Sequence, residues 1–159
     1  MAEVTETRTK ERIRKTGEVF TPTALVEEIL DKLPPELFTD HTTTFLDPAA
    51  GDGQFLVSVV QDKIDNGSTP TEALHTTYGV ELMEDNAIEC RERLIAIVGD
   101  TPLHRNIVNH NIICANSLEF DYDALQPYII TQDSNVLEHH APLSPKSTQE
   151  QVIDILLTF

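Results

Sequence analysis

Thr44-Phe45-Leu46-Asp47-Pro48-Ala49-Ala50-Gly51-Asp52-Gly53-Gln54-Phe55-Leu56 is the stretch that decides the fold. Its first four residues are a β-branched and aromatic run, and a glycine-bearing turn follows from Pro48 to Gly53. From Gln54 the apolar residues Phe55, Leu56, Val59, Val60 and Ile64 recur at helical spacing until Asn66-Gly67, a usual helix stop. Strand, glycine turn and helix thus succeed one another directly, as in the first unit of a doubly wound sheet.

The pattern continues outward. Upstream, Thr23 to Leu33 has helical apolar spacing after Pro22, a good first-turn residue, and Pro34-Pro35 ends it, which predicts a helix over 22–33. Downstream, Thr76-Thr77-Tyr78-Gly79-Val80-Glu81 reads as a second strand, and a helix follows from about Met83 to Val98, closed by Gly99-Asp100. Asn111 to Asn116 reads as a third strand and Tyr128-Ile129-Ile130-Thr131 as a fourth. Residues 132–147 are polar and loop-like, and Ser147 or Thr148 caps a last predicted helix through Leu157. Strands that are continuously apolar and alternate with helices predict an α/β fold, a Rossmann-like doubly wound, mostly parallel sheet.

Composition narrows the function. The 159 residues are 40% hydrophobic, enough for one packed domain, and no apolar run approaches the roughly 20 residues of a membrane span. The N-terminus lacks an apolar secretory stretch, and Cys90 and Cys114 stand 24 residues apart without a metal-ligand pattern. A cytoplasmic protein with reduced cysteines and no structural metal is expected. His139-His140 beside Glu138 reads as an exposed loop pair, because adjacent side chains diverge on an extended chain. The net charge is −16; residues 1–15 form a basic segment of +2, which leaves −18 on the remainder. Such a surface repels phosphates, so the chain alone is expected to bind DNA only weakly.

The glycine turn and the end of the second strand mark the expected pocket. Gly51 and Gly53 let the backbone turn tightly and approach a ligand, and Glu81 can accept hydrogen bonds from ribose hydroxyls. The third glycine of the dinucleotide fingerprint is missing, since Leu56 stands there, and no Gly-Lys-Ser/Thr follows. Asp47 and Asp52 oppose a pyrophosphate but suit a cofactor bearing an ammonium and a sulfonium. This selects S-adenosylmethionine over NAD or ATP.

Four segments in order, Lys15-Thr16-Gly17-Glu18-Val19-Phe20-Thr21-Pro22, Asp47 to Leu56, Gly79-Val80-Glu81-Leu82 and Ala115-Asn116-Ser117-Leu118, resemble motifs of adenine-specific DNA methyltransferases. The resemblance spans about residues 12–120 and implies a class I, S-adenosylmethionine-dependent fold over 16–131, followed by the 132–159 loop and helix. It implies that Phe20, Thr21 and Pro22 close over the methionine end of the cofactor. Asp47, Ala49, Gly51, Asp52 and Gly53 would surround methionine and ribose, Glu81 would hold the ribose, and Leu82 would flank the adenine. Asn116 stands where the family usually has Asp, and its oxygen can still accept from the adenine amine.

Methyl transfer to adenine needs a flipped base held in line with the methyl group, a task of Asn-Pro-Pro-Tyr in the family. The 159 residues contain no such motif: Thr131-Gln132-Asp133-Ser134-Asn135 and Gln126-Pro127-Tyr128 are its nearest substitutes, and neither is assigned a catalytic role. The resemblance therefore implies a sheet incomplete on its C-terminal side and completed by a protein partner or a homodimer. Val152, Ile153, Ile155, Leu156, Leu157 and Phe159 of the last predicted helix offer a face for the core or for that partner. Three readings stay open: an enzyme completed by another chain, a silent module binding S-adenosylmethionine or S-adenosylhomocysteine, and an acidic DNA mimic.

Overall fold

The computed structural model describes residues 10–16, 18–131 and the strand at 152–154. Four parallel strands, β1 (Thr44–Asp47), β2 (Thr77–Glu81), β3 (Ile112–Cys114) and β4 (Val152–Asp154), lie in the order β3-β2-β1-β4. The helices are α1 (Lys10–Thr16), α2 (Thr23–Leu30), α3 (Glu36–Thr39), α4 (Gln54–Asp65), α5 (Pro70–His75), α6 (Glu84–Val98) and α7 (Pro102–Asn111). The winding from β1 outward through β2 to β3 is that of one half of a doubly wound sheet.

Strand pleat decides which side chains face the helices. Phe45 packs with Val26, Leu30, Phe38, Phe55 and Val59 of α2, α3 and α4. Leu46 points the other way, into a cluster with Tyr78 and Val80 that Phe120, Tyr122 and Leu125 cover. A second helix-side core joins Leu56 and Val60 to Leu74, Cys90, Leu94, Ile107 and Ile112. Gly79 in β2 faces this core, and a Cβ there would lie 2.7 Å from Leu56 Cδ1 and 3.0 Å from Ala50 Cβ. The missing side chain is what lets α4 approach the sheet, so β1 and β2 end side by side beneath the turn.

Helices α3, α5 and α7 add to the expected order, and two expected elements take another form. Tyr128–Thr131 is not a strand. His75 Nε2 donates to the Tyr128 carbonyl at 2.6 Å, His110 Nε2 to the Gln126 carbonyl at 2.7 Å, and the His110 and Tyr128 rings meet edge to face. These contacts hold the segment against α5 and α7, and its backbone makes no ladder. The place beside β1 belongs instead to Val152-Ile153-Asp154, where a helix is predicted; Thr44, Phe45 and Leu46 pair with these three residues. Two β-branched residues suit the strand, and pairing satisfies backbone groups along β1 that a helix could not reach. The rest of that predicted helix, the 132–147 loop, Gln132–Asn135 and Glu138-His139-His140 lie outside the described residues.

Candidate cofactor site

The site forms where β1 ends. Gly51 and Gly53 both adopt left-handed backbone, φ 55° and 89°, a region costly for residues with a Cβ. Gly53 is the N-cap of α4, and a Cβ on it would sit 2.8 Å from Cys90 Sγ on α6. A Cβ on Gly51 would meet the Phe20 ring at 3.4 Å. The strap Val19–Pro22 therefore lies over the turn, and Pro22 then starts α2 by accepting from the Leu25 and Val26 amides.

Between strap and turn lies a cleft of about 520 Å³ lined by Phe20, Thr21, Pro22, Asp47, Ala49, Gly51 and Asp52, among others. That is within the usual range for small-molecule sites. Its polar wall is acidic. Asp47, only 4% exposed, accepts from the Ala49 amide at 2.9 Å, and burial pushes its carboxyl up to about 6, with the Glu81 charge adding to the rise. Asp52 Oδ2 lies 3.2 Å from Arg93 Nη1, while Asp52 Oδ1 is buried without a partner among the described residues. A buried carboxylate oxygen left unsatisfied is costly. Arg93 also donates to the Asp52 carbonyl at 3.1 Å and to Gln54 Oε1 at 2.8 Å, so α6 holds the turn from outside.

Glu81 joins this turn through the backbone. Its Oε2 accepts from the Gly51 amide at 2.8 Å, and its Oε1 accepts from the Met83 amide at 2.9 Å and from Asn86 Nδ2 at 3.3 Å. Glu81 is half-buried and does not itself line the cleft. One lone pair of Oε2 remains without a described donor. Leu82, 55% exposed, follows it, and Asn116, exposed after β3, uses Oδ1 to accept from the Leu118 amide at 3.1 Å.

The sequence-predicted residues thus fall into three groups. Phe20, Thr21, Pro22, Asp47, Ala49, Gly51 and Asp52 come together in one cleft. Gly53 shapes the turn from behind, Glu81 ends β2, and Leu82 and Asn116 follow the ends of β2 and β3. Sequence spacing gave no sign of Arg93, nor of Arg12, Glu18 and Asn86, which reach the site through partners 41 to 73 residues away.

A parallel sheet whose first strand ends in an acidic glycine turn, with a second acid closing the adjacent strand, defines an α/β protein of the class I methyltransferase type. The family model for N-6 DNA methylase matches residues 4–124, well over half the chain, and the chain belongs to that family. It is accordingly a methyltransferase-like protein related to DNA methyltransferases, a family that in general depends on S-adenosylmethionine. No curated protein and no solved structure matches it. Among the described residues no helix is long and apolar enough to cross a membrane.

Proposed function

We propose that the chain binds S-adenosylmethionine, or its demethylated product S-adenosylhomocysteine, with the methionine end in the cleft between the strap and the glycine turn and the nucleoside reaching out past Gly51 to the ends of β2 and β3. The observation that carries the reading is an acidic cleft of small-molecule size, walled by the buried Asp47 and by Asp52 and covered by the Phe20 strap. An α-ammonium suits this wall, because Asp47 and Asp52 together select for positive charge. When bound, the cofactor supplies an electrophilic methyl group.

The chain's own residues divide the remaining work. The Thr21 hydroxyl and the strap's backbone suit the amino-acid carboxylate. Gly51 permits close approach, the open lone pair of Glu81 Oε2 accepts a ribose hydroxyl, and Leu82 offers apolar surface to the adenine. Asn116 has a second lone pair on Oδ1 for the adenine amine.

The same reading places methyl transfer to adenine beyond this chain acting alone. The 159 residues carry no Asn-Pro-Pro-Tyr, and residues 16–159 hold a charge of −18 once the +2 of the N-terminal segment is taken from the total of −16. The acceptor site and much of the affinity for DNA then come from a partner chain or a second copy.

Incubation with methyl-labelled S-adenosylmethionine tests both halves. Saturable retention of label by the protein, with no label reaching unmethylated DNA, supports the reading. Retention by Glu81→Ala equal to wild type contradicts the site, and transfer by the purified chain contradicts the acceptor claim.

A further inference from the structure

Glu18 stands two residues before Phe20, yet its side chain is only 8% exposed and turned away from the cleft. Arg12 of α1 grips it with two contacts, Nε to Oε2 at 2.8 Å and Nη2 to Oε1 at 3.1 Å, and grips Asp85 at 2.7 and 2.9 Å. Both carboxylates hold the guanidinium firmly charged, the Asp85 bonds foremost, and Arg12 in turn keeps the Asp85 carboxyl below its usual range. On its inner side Glu18 Oε1 accepts from Asn86 Nδ2 at 2.6 Å. Asn86 is fully buried in the first turn of α6, and the same nitrogen lies 3.3 Å from Glu81 Oε1.

These contacts close a ring. Glu18 leads along the chain to Phe20, Phe20 covers Gly51, the Gly51 amide reaches Glu81, Glu81 meets Asn86, and Asn86 returns to Glu18. A neutral amide is the group that can sit between two carboxylates and donate to both, whereas an acid there would face like charge on either side. A buried polar network that is satisfied in this way fixes the positions of its members.

We propose that Glu18 and Asn86 are positioning residues that join the strap and the Glu81 carboxylate into one unit, with Arg12 fastening that unit to α1. The proposal rests on the reading that strap and Glu81 hold the cofactor. It assigns α1, through Arg12, a role in shaping the site from outside.

The test pairs amide NMR of the free protein with calorimetric titration of S-adenosylhomocysteine, on wild type, Glu18→Gln, Glu18→Ala and Asn86→Asp. Glu18→Ala and Asn86→Asp are expected to shift the Gly51 and Met83 amide resonances together and to weaken binding at least tenfold. Glu18→Gln, which keeps an acceptor for Asn86 but turns an amide NH2 towards Arg12 Nε, is expected to fall between wild type and Glu18→Ala. Folded variants whose Gly51 and Met83 amides and affinities are unchanged overturn the positioning role while leaving the cofactor reading intact. Shifted amides in a protein whose wild type gives no heat overturn the cofactor reading, and the positioning role falls with it. If Asn86→Asp does not fold, the contrast between Glu18→Ala and Glu18→Gln gives the same decision.

Discussion

The Glu81 carboxylate and the Gly51 amide, 30 residues apart in sequence, meet at 2.8 Å and fasten the end of β2 to the turn that follows β1. Glu81 therefore shapes the free site before any ligand arrives. Glu81→Ala leaves the Gly51 and Met83 amides without this acceptor, a loss of about 1–3 kcal/mol for such half-buried groups. Glu81→Gln keeps one oxygen and should lose less. Thermal unfolding of the two variants checks this, with Ala expected several degrees below Gln and Gln below wild type.

Gly53→Ala should damage the fold rather than the ligand contacts. The new Cβ would sit at φ 89°, 2.8 Å from Cys90 Sγ and 3.2 Å from the α-carbon of Cys90. Left-handed strain and the clash together should cost about 2 kcal/mol or more. Adding Cys90→Ala removes the sulfur but leaves the crowding against the α6 backbone, so urea denaturation should recover part of the loss and not all.

Asp47 trades stability for charge. Burial raises its folded pKa to about 6, above the unfolded 3.8, so the folded state binds more protons between these values. Stability from this group is then highest at low pH and falls as pH rises through about 6. Asp47→Asn, which keeps an acceptor for the Ala49 amide, should stabilise the free protein at pH 7.5 by on the order of 1–3 kcal/mol. It should also weaken cofactor binding. Denaturation at pH 5 and 7.5 checks the first point: the gain should shrink at the lower pH.

Lys63 shows the opposite sign. It is fully buried, with Nζ 2.5 Å from both the Thr43 carbonyl and Thr76 Oγ1, and burial lowers its pKa from 10.5 to about 8. Between these values the unfolded chain binds more protons, so this group makes stability rise from pH 8 towards 10.5. Lys63→Met should flatten that rise in denaturation curves; at pH 7 the lost donor to the Thr43 carbonyl offsets the gain from removing a buried charge, so the net change there should be small.

Legibility in the sequence followed the range of the interaction. The limits of β1, the start of α4 after Gly53 and the end of β2 at Glu81 could be read because apolar period and glycine placement are local signals. The helix α5 also had a local signal that the periodicity reading passed over: Thr69-Pro70-Thr71-Glu72 forms a capping box with proline at the first turn. Thr101-Pro102 at the start of α7 is a similar case. Tyr128–Thr131 had the composition of a strand, but only the histidines of α5 and α7 decide its place. Likewise, no spacing rule pairs Arg12 with Asp85 across 73 residues or Arg93 with Asp52 across 41. The candidate cleft was readable as a motif, and the network around it was not.

The most direct measurement is a calorimetric titration of S-adenosylmethionine into wild type and Asp52→Asn at pH 7.5. Saturable binding to wild type is predicted, with an affinity at least tenfold weaker when Asp52 in the cleft wall no longer carries charge. Equal affinity in the two proteins, or no heat with wild type, would contradict it.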